Sequence, residues 1–274
     1  MSSTNTNTNT KCPVVLSFDI DGISGAINMD PNSKTLPSLM SMREYGPSIA
    51  MPRILDILKK HNILSSFYIP GFIADTHVDL VKKIFAEGHE IGHHGYMHEP
   101  PSTLTKQEEI DVIDKGIDSI QKITSYTPLG YRSPSWELSN NSIEILSKNG
   151  FIYDSSLMGD DKPYYIEVGQ NKLVEIPIHW ELDDHPYFNH TPYFNQRNVI
   201  SNPKNVLESW KLAFEGILEY EGSFVITLHP WIIGRPGRLK MLEELILHIK
   251  KFPEAKFMTS LELAKLFNNQ NIQK

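Results

Sequence analysis

Short apolar segments rich in β-branched residues alternate with amphipathic helical segments along most of this 274-residue chain. The segment PVVLSFD at 13–19 has the composition of a buried parallel strand, and 51–61 has the apolar periodicity of a helix. Successive parallel strands need a crossover between them, which is usually a helix. The alternation therefore favours an α/β fold with a parallel sheet or barrel over separate helical and β domains.

The chain shows neither an internal repeat nor a linker that would divide it, and its length suits a single α/β barrel. We predict a disordered polar tail over 1–12 and one folded domain over 13–274. The leader MSSTNTNTNT has neither a basic start nor an apolar core, so a secretory signal is not expected and a cytoplasmic location is. Cys12 is the single cysteine, which excludes an intramolecular disulfide.

The composition limits the partners of the protein. Hydrophobic residues make up 40% of the chain and charged residues 22%, and no apolar run is long enough to span a bilayer. The net charge of -7 argues against nucleic-acid binding, which normally requires a basic surface. We therefore expect neither a membrane nor a nucleic acid as partner.

The segment GHEIGHHGYMH at 88–98 contains four of the eleven histidines. Two pairs have the four-residue spacing that places both imidazoles on one side of a helical turn: His94 with His98, and His89 with His93. Dense histidines indicate metal ligation or proton transfer, although a solvated histidine-rich turn has the same pattern. The spacing alone does not decide between the two pairs.

Several predicted strands end in polar residues that parallel strands would bring to one edge of a barrel. These residues are Asp19, Asp21, His94, His98, Arg132, Asp154 and His229. One carboxylate with two imidazoles forms a three-ligand set that leaves positions open, as in catalytic metal sites. A second carboxylate and a further histidine would remain for proton transfer.

Aromatic and polar residues near the ends of later strands are candidates for the substrate pocket. They are Trp136, His179, Trp180 and Trp231. Asp183 and Asp184 follow His179 and Trp180 closely in the sequence. A structural role is the alternative for each of them. Residues 22–47 are rich in Gly, Pro, Ser and Met without periodicity, and we predict a long loop that could cover the site.

The sequence resembles the polysaccharide deacetylase superfamily of carbohydrate esterases, whose motifs occur here in order across nearly the whole chain. The paired aspartates of the first motif are present as SFDIDG at 17–22, with Ile20 between them instead of the adjacent pair of the commonest version. The second motif is HGYMH at 94–98, the Arg-x-Pro motif is Arg132-Ser-Pro, and the strand ending in Leu-His is ITLHP with His229. The resemblance implies a deformed single-domain (β/α) barrel and a catalytic domain over 13–274.

The resemblance also implies a role for each motif residue. A divalent metal ion would be held by Asp21, His94 and His98. Asp19 would be the general base, Arg132 its partner, and His229 the acid that protonates the leaving nitrogen. A backbone N–H within 133–136 would bind the oxyanion. Zinc is the favoured metal, and the same ligands also suit iron, cobalt, nickel or manganese.

The Asp-x-Asp spacing and the segment HGYMHE are similar to those of a cytoplasmic subgroup of atypical peptidoglycan deacetylases, allantoinase-like proteins and cyclic imide hydrolases. Two hydrolytic reactions follow: removal of an acetyl group from an amino sugar or peptidoglycan-type substrate, or opening of a small cyclic amide. The subgroup also supports a homo-oligomer. An iron(II) oxygenase, whose metal is held by two histidines and a carboxylate, and a non-catalytic binding protein are the alternatives from other classes.

Overall fold

The structure is a computed structural model that describes residues 10–169, 171–194 and 199–272, and within these ranges nine strands form one sheet. The strands are β1 (Cys12–Asp19), β2 (Ser66–Ile69), β3 (Glu90–His93), β4 (Gly130–Tyr131), β5 (Tyr153–Asp154), β6 (Tyr164–Val168), β7 (Asn171–Glu175), β8 (Phe224–Leu228) and β9 (Ala255–Phe257). Their order is β6-β7-β5-β4-β3-β2-β1-β8, and β9 also pairs with β1. This curled sheet confirms the predicted single-domain deformed (β/α) barrel.

Helices pack around the sheet and connect most of its strands. They are α1 (Ser24–Met29), α2 (Pro37–Tyr45), α3 (Met51–His61), α4 (Gly71–Thr76), α5 (Val78–Ala86), α6 (Lys106–Thr124), α7 (Ser142–Lys148), α8 (His185–Phe188), α9 (Pro203–Glu219), α10 (Pro230–Ile233), α11 (Pro236–Ile249) and α12 (Ser260–Ile272). A capping box begins α6, because the Thr105 side chain accepts from the backbone of Glu108 and the Glu108 carboxylate accepts from the backbone of Thr105. None of the described helices is long and apolar enough to cross a membrane.

The side chain of Asp19, the last residue of β1, lies on the inner face of the barrel. Val14, Leu16 and Phe18 pack in the large cluster that joins the sheet to the surrounding helices, whereas Val15 belongs to a second cluster. Because side chains of a strand alternate between its faces, Asp19 shares the face of Val15. The strand that the sequence predicted thus places a carboxylate at its carboxyl end, on the inner face.

Three local expectations differ from the structure. The segment 22–47 contains α1 and α2 instead of a continuous loop, and a π-helical turn at Gly46–Ala50 follows. Helices of six and nine residues punctuated by proline show little periodicity and depend on packing for their stability. The sheet is not wholly parallel, because β6 and β7 form an antiparallel hairpin. Strand β1 includes Cys12, which is fully buried, while 1–9 of the predicted tail lie outside the described residues.

Candidate active site

One cavity of about 320 Å³ opens at the carboxyl ends of the parallel strands and brings together residues from distant parts of the sequence. Its lining includes Asp19, Asp21, His94, His98 and His229. Each follows or ends β1, β3 or β8, or lies in the turn just beyond. The structure thus places five of the six predicted metal-binding and catalytic residues on one cavity, and the sixth, Arg132, lies buried directly behind it.

Asp21, His94 and His98 form a compact set of potential ligands. Asp21 Oδ1 lies 3.6 Å from His94 Nε2 and 3.7 Å from His98 Nε2. This oxygen is buried and has no hydrogen-bond partner in the described part of the protein. An unpartnered buried carboxylate oxygen between two imidazole nitrogens is costly, and a divalent cation would remove that cost.

The protonation of the two histidines suits metal binding. Burial lowers the pKa of both imidazoles to about 4, so each is neutral at pH 7. The Nδ1 of His94 donates to the carbonyl oxygen of Arg132 at 2.7 Å, which leaves Nε2 as the unprotonated nitrogen facing Asp21. This hydrogen bond fixes the ring as in protein metal sites, where the second ring nitrogen of a histidine ligand has a partner. The residues present therefore fit a metal ion.

Asp19 is held beside this set by a fully buried guanidinium. Arg132 Nη1 donates to Asp19 Oδ1 at 2.9 Å and to Ser17 Oγ at 2.9 Å, while its other nitrogens donate to the carbonyl and hydroxyl oxygens of Ser155. Burial alone would raise the pKa of Asp19, but Arg132, His94 and His229 together hold that pKa below its ordinary value. Asp19 is therefore a buried carboxylate in its ionised form.

His229 has the opposite environment, because two acids hold it in the protonated form. Its Nδ1 lies 2.7 Å from Asp184 Oδ1 and 3.5 Å from Asp183 Oδ1, and its backbone N–H also donates to Asp184. Burial opposes protonation, but Asp183 and Asp184 raise the pKa of His229 to about 10. Its Nε2 faces the cavity 3.9 Å from Asp21 Oδ2. This pair of partners was not assigned from sequence, although both aspartates were candidates for the pocket.

The aromatic residues predicted for the pocket have different locations. Trp136 and Trp180 line the cavity and stack on each other with ring centroids 4.2 Å apart. His179 does not line it, because its Nδ1 accepts from the backbone of Glu181 and begins a helical turn. Trp231 is buried behind the lining rather than in it. Among the lining residues that were not predicted as site residues are Arg43 and His185, whose side chains can carry a positive charge.

The second histidine pair of the cluster lies outside the cavity. His93 accepts from the backbone of Gly95 and bonds the carbonyl of Ile113 through its other nitrogen. His89 accepts from the backbone of Ser65. Both imidazoles therefore support the backbone around β3, and the structure separates them from His94 and His98.

Asp154 and Glu175 form a buried pair of carboxyl groups that supports the loop of Arg132. Glu175 Oε1 accepts from the backbone N–H groups of Ser156 and Leu157, and Ser156 Oγ in turn accepts from the backbone of Ser133. Asp154 Oδ2 and Glu175 Oε2 are buried and have no hydrogen-bond donor among the described residues, so a proton shared by the two carboxyl groups would satisfy both oxygens. Burial raises the pKa of both, to about 6 for Asp154, so the pair retains a proton that either group alone in water would lose.

Replacing Glu175 by glutamine is expected to make the protein less sensitive to rising pH. Groups with raised acid pKa values bind more protons in the folded than in the unfolded state, so they reduce stability as the pH rises. A glutamine amide would donate to Asp154 without a shared proton. We expect the free energy of unfolding of Glu175→Gln, relative to wild type, to increase by on the order of 1–3 kcal/mol between pH 5 and pH 8.

Urea unfolding at several pH values measures this difference. Glu167→Gln, at an exposed position of the neighbouring strand β6, is the matched control and should track wild type throughout. A Glu175→Gln difference that stays constant with pH would show that the pair does not share a proton.

Comparison with known proteins finds relatives that align with nearly the whole chain. The family model described as polysaccharide deacetylase matches residues 33–153. The peptidoglycan deacetylase of Helicobacter pylori is 32% identical over 291 aligned positions, covering 95% of this chain and 98% of the relative. A Mycobacterium smegmatis protein assigned to the polysaccharide deacetylases has a solved structure with a TM-score of 0.94 and 33% identity, covering 97% of this chain and 93% of that one.

A more distant structural neighbour is the allantoinase Puue. Its TM-score is 0.83 at 21% identity, over 94% of this chain and 91% of that one, which shows a shared fold alone. The fold and the closer relatives together define a barrel hydrolase that acts on carbon–nitrogen bonds other than peptide bonds. The chain belongs to the polysaccharide deacetylase family.

Proposed function

We propose that this protein is a metal-dependent deacetylase that removes N-acetyl groups from an amino sugar of the peptidoglycan type. One observation carries the proposal: an ionised carboxylate and a protonated imidazole, Asp19 and His229, flank the same three candidate metal ligands. Asp19 Oδ2 lies 4.0 Å from His94 Nε2, and His229 Nε2 lies 3.9 Å from Asp21 Oδ2. A base and an acid on one centre are what hydrolysis of an unactivated amide requires.

Asp21, His94 and His98 would hold the metal ion. Such an ion polarises a carbonyl oxygen and makes water a nucleophile near neutral pH. Two imidazoles with one carboxylate suit zinc, which we favour, and also iron, cobalt, nickel and manganese.

Asp19 would accept the proton of the attacking water. Its ion pair with Arg132 keeps it ionised, and the four hydrogen bonds of the guanidinium fix its position. Because the carboxylate oxygen opposite Arg132 faces His94, the base is aimed at the candidate metal centre. Arg132 thus orients the base without reaching the cavity itself.

His229 would donate a proton to the leaving nitrogen. An amine is a poor leaving group unless it is protonated, so the acid must hold its proton at working pH. The contacts with Asp183 and Asp184 provide this, and the hydrogen bond from Nδ1 to Asp184 directs Nε2 into the cavity.

Ser135 would supply the backbone donor for the oxyanion. Within 133–136, which the structure describes in full, the N–H of Ser133 donates to Ser156 and that of Trp136 donates to Ser133. Pro134 has no N–H, so Ser135 provides the remaining donor, and this residue lines the cavity. Ser135 and Trp136 have φ angles of 59° and 61°, a strained turn of the kind that is retained at functional sites.

The relatives support deacetylation rather than opening of a cyclic amide. The Helicobacter relative is named for deacetylation of peptidoglycan and spans nearly all of this chain, whereas the allantoinase shares the fold at low identity. The stacked indoles of Trp136 and Trp180 offer an apolar wall of the kind against which a sugar ring packs.

Acetate release by metal-reconstituted protein tests the proposal. We expect N-acetylated amino sugars to yield acetate, metal-stripped protein to yield none, and small cyclic imides to remain intact. His229→Ala should reduce turnover by about 10²- to 10⁴-fold, while His248→Ala, on the outer helix α11, should resemble wild type. Ring opening of an imide without acetate release from any sugar would contradict the proposal.

A further inference from the structure

Arg43, on α2, is a buried cation that lines the active-site cavity and has neither a hydrogen-bond nor an ion-pair partner among the described residues. Its relative exposure is 4%. Its Nε has no hydrogen-bond partner, and none of the described carboxylates lies within ion-pair distance of its guanidinium. Arg132, the other large buried cation of the site, has acceptors on all of its nitrogens. The two guanidinium groups are therefore buried to a similar degree, but only that of Arg132 has hydrogen-bond acceptors among the described residues.

The position of Arg43 is fixed by packing. Its guanidinium carbon lies 3.9 Å from the centroid of the Trp231 ring, a cation–π contact that offsets part of the cost of burial. The π-helical turn after α2 presses against the same residue, because a Cβ added at Gly46 would lie 3.0 Å from the backbone nitrogen of Trp231. The guanidinium is thus held against an indole face at the cavity wall, and its terminal Nη1 and Nη2 groups, which donate to none of the described residues, are left for a ligand.

The acids around the cavity have nearer partners than Arg43. The Asp19 carboxylate is paired with Arg132, and Asp183 and Asp184 both lie beside His229. Asp21 is the acid whose charge acts on Arg43, and it lies beyond ion-pair distance. Asp21 would be neutralised by the metal ion that it fits. A planar guanidinium with free donors binds carboxylates with two parallel hydrogen bonds, and this is a strong form of recognition in a buried site.

We propose that Arg43 binds a carboxylate of the substrate, so that the preferred substrate is an N-acetylated amino sugar bearing a carboxylate beside the acetamido group. This inference rests on the proposed deacetylation. N-Acetylmuramic acid has this chemistry, because its lactyl group, which bears the carboxylate, is attached through an ether oxygen to the ring carbon next to the one that carries the acetamido nitrogen. A cavity of about 320 Å³ is at the small end of ligand pockets and suits one such sugar unit.

A matched pair of sugars tests the inference, because N-acetylglucosamine differs from N-acetylmuramic acid only by lacking the lactyl ether. Calorimetry on metal-loaded Asp19→Asn protein measures binding without turnover. We expect N-acetylmuramic acid to bind about 10- to 100-fold more tightly than N-acetylglucosamine. Adding Arg43→Met should bring the ratio of the two dissociation constants close to one. Adding Arg43→Lys should leave an intermediate ratio, because lysine keeps the positive charge but lacks the two parallel donors of the guanidinium.

Turnover in the wild-type background provides the second measurement. The ratio of kcat/KM between the two sugars should fall by the same factor in Arg43→Met, mainly through KM. A preference in binding that depends on Arg43, without acetate release, would support the inference and contradict the proposed deacetylation. A preference that is unchanged in Arg43→Met, as when the metal ion alone holds the carboxylate, would overturn the inference, and so would equal or undetectable binding of both sugars.

Discussion

Asp19→Asn is expected to lower kcat of the metal-loaded protein by about 10²- to 10⁴-fold, the range that a positioned general base contributes. Asparagine has nearly the same shape and keeps an oxygen that can accept from Arg132, but it cannot accept the proton of the attacking water. The three candidate metal ligands are unchanged. The protein should therefore bind one equivalent of metal, fold, and fail in the chemical step.

Three measurements separate this outcome from misfolding. Metal content, circular dichroism and acetate release are compared for wild type, Asp19→Asn and Asp118→Asn, whose exposed position on α6 gives the same chemical change away from the cavity. Asp118→Asn should match wild type in all three. Retention of more than a tenth of wild-type kcat by folded, metal-loaded Asp19→Asn would assign the base to another residue.

The regular elements could be predicted because their sequences carry the signals that hydrophobic burial requires. β1 and α3 have uninterrupted apolar patterns, and the capping box of α6 marks its start. The helices within 22–47 could not be predicted from sequence, because they are short, lack apolar periodicity and depend on packing against the rest of the protein for their stability. The antiparallel β6–β7 hairpin was missed because an edge strand breaks the strand–helix alternation that guided the prediction.

The candidate site was predicted to the extent that it lies in motifs at the ends of strands. Asp19, Asp21, His94 and His98 occur at short spacings, and the structure brings them together with His229 from the far end of the chain. Their neighbours had no such signal. Asp184 precedes His229 by 45 positions, and Arg43 lies on α2, in a segment whose sequence predicted a loop. Only the fold shows which of the many aspartates and arginines are buried in the cavity.

Arg132→Met is expected to reduce the free energy of unfolding by about 3–5 kcal/mol, because it leaves the buried Asp19 carboxylate without its partner. Methionine replaces much of the volume of the arginine stem, so the loss is chiefly electrostatic. It also leaves Ser17 and Ser155 without a donor. Arg53→Met, at an exposed position on α3, is the control and should change the stability by no more than about 0.5 kcal/mol.

A double-mutant cycle shows how much of this loss comes from the stranded charge. In Asp19→Asn/Arg132→Met the unpaired carboxylate is absent, so the double variant should be more stable than Arg132→Met alone by about 1–3 kcal/mol. Urea unfolding of the four metal-free proteins at one pH gives the coupling energy. Additive effects of the two substitutions would mean that Arg132 stabilises the fold through Ser17, Ser155 and the Tyr68 ring rather than through Asp19. Strong coupling would show that the charge that keeps the candidate base ionised is also a main contribution to the stability of this edge of the barrel.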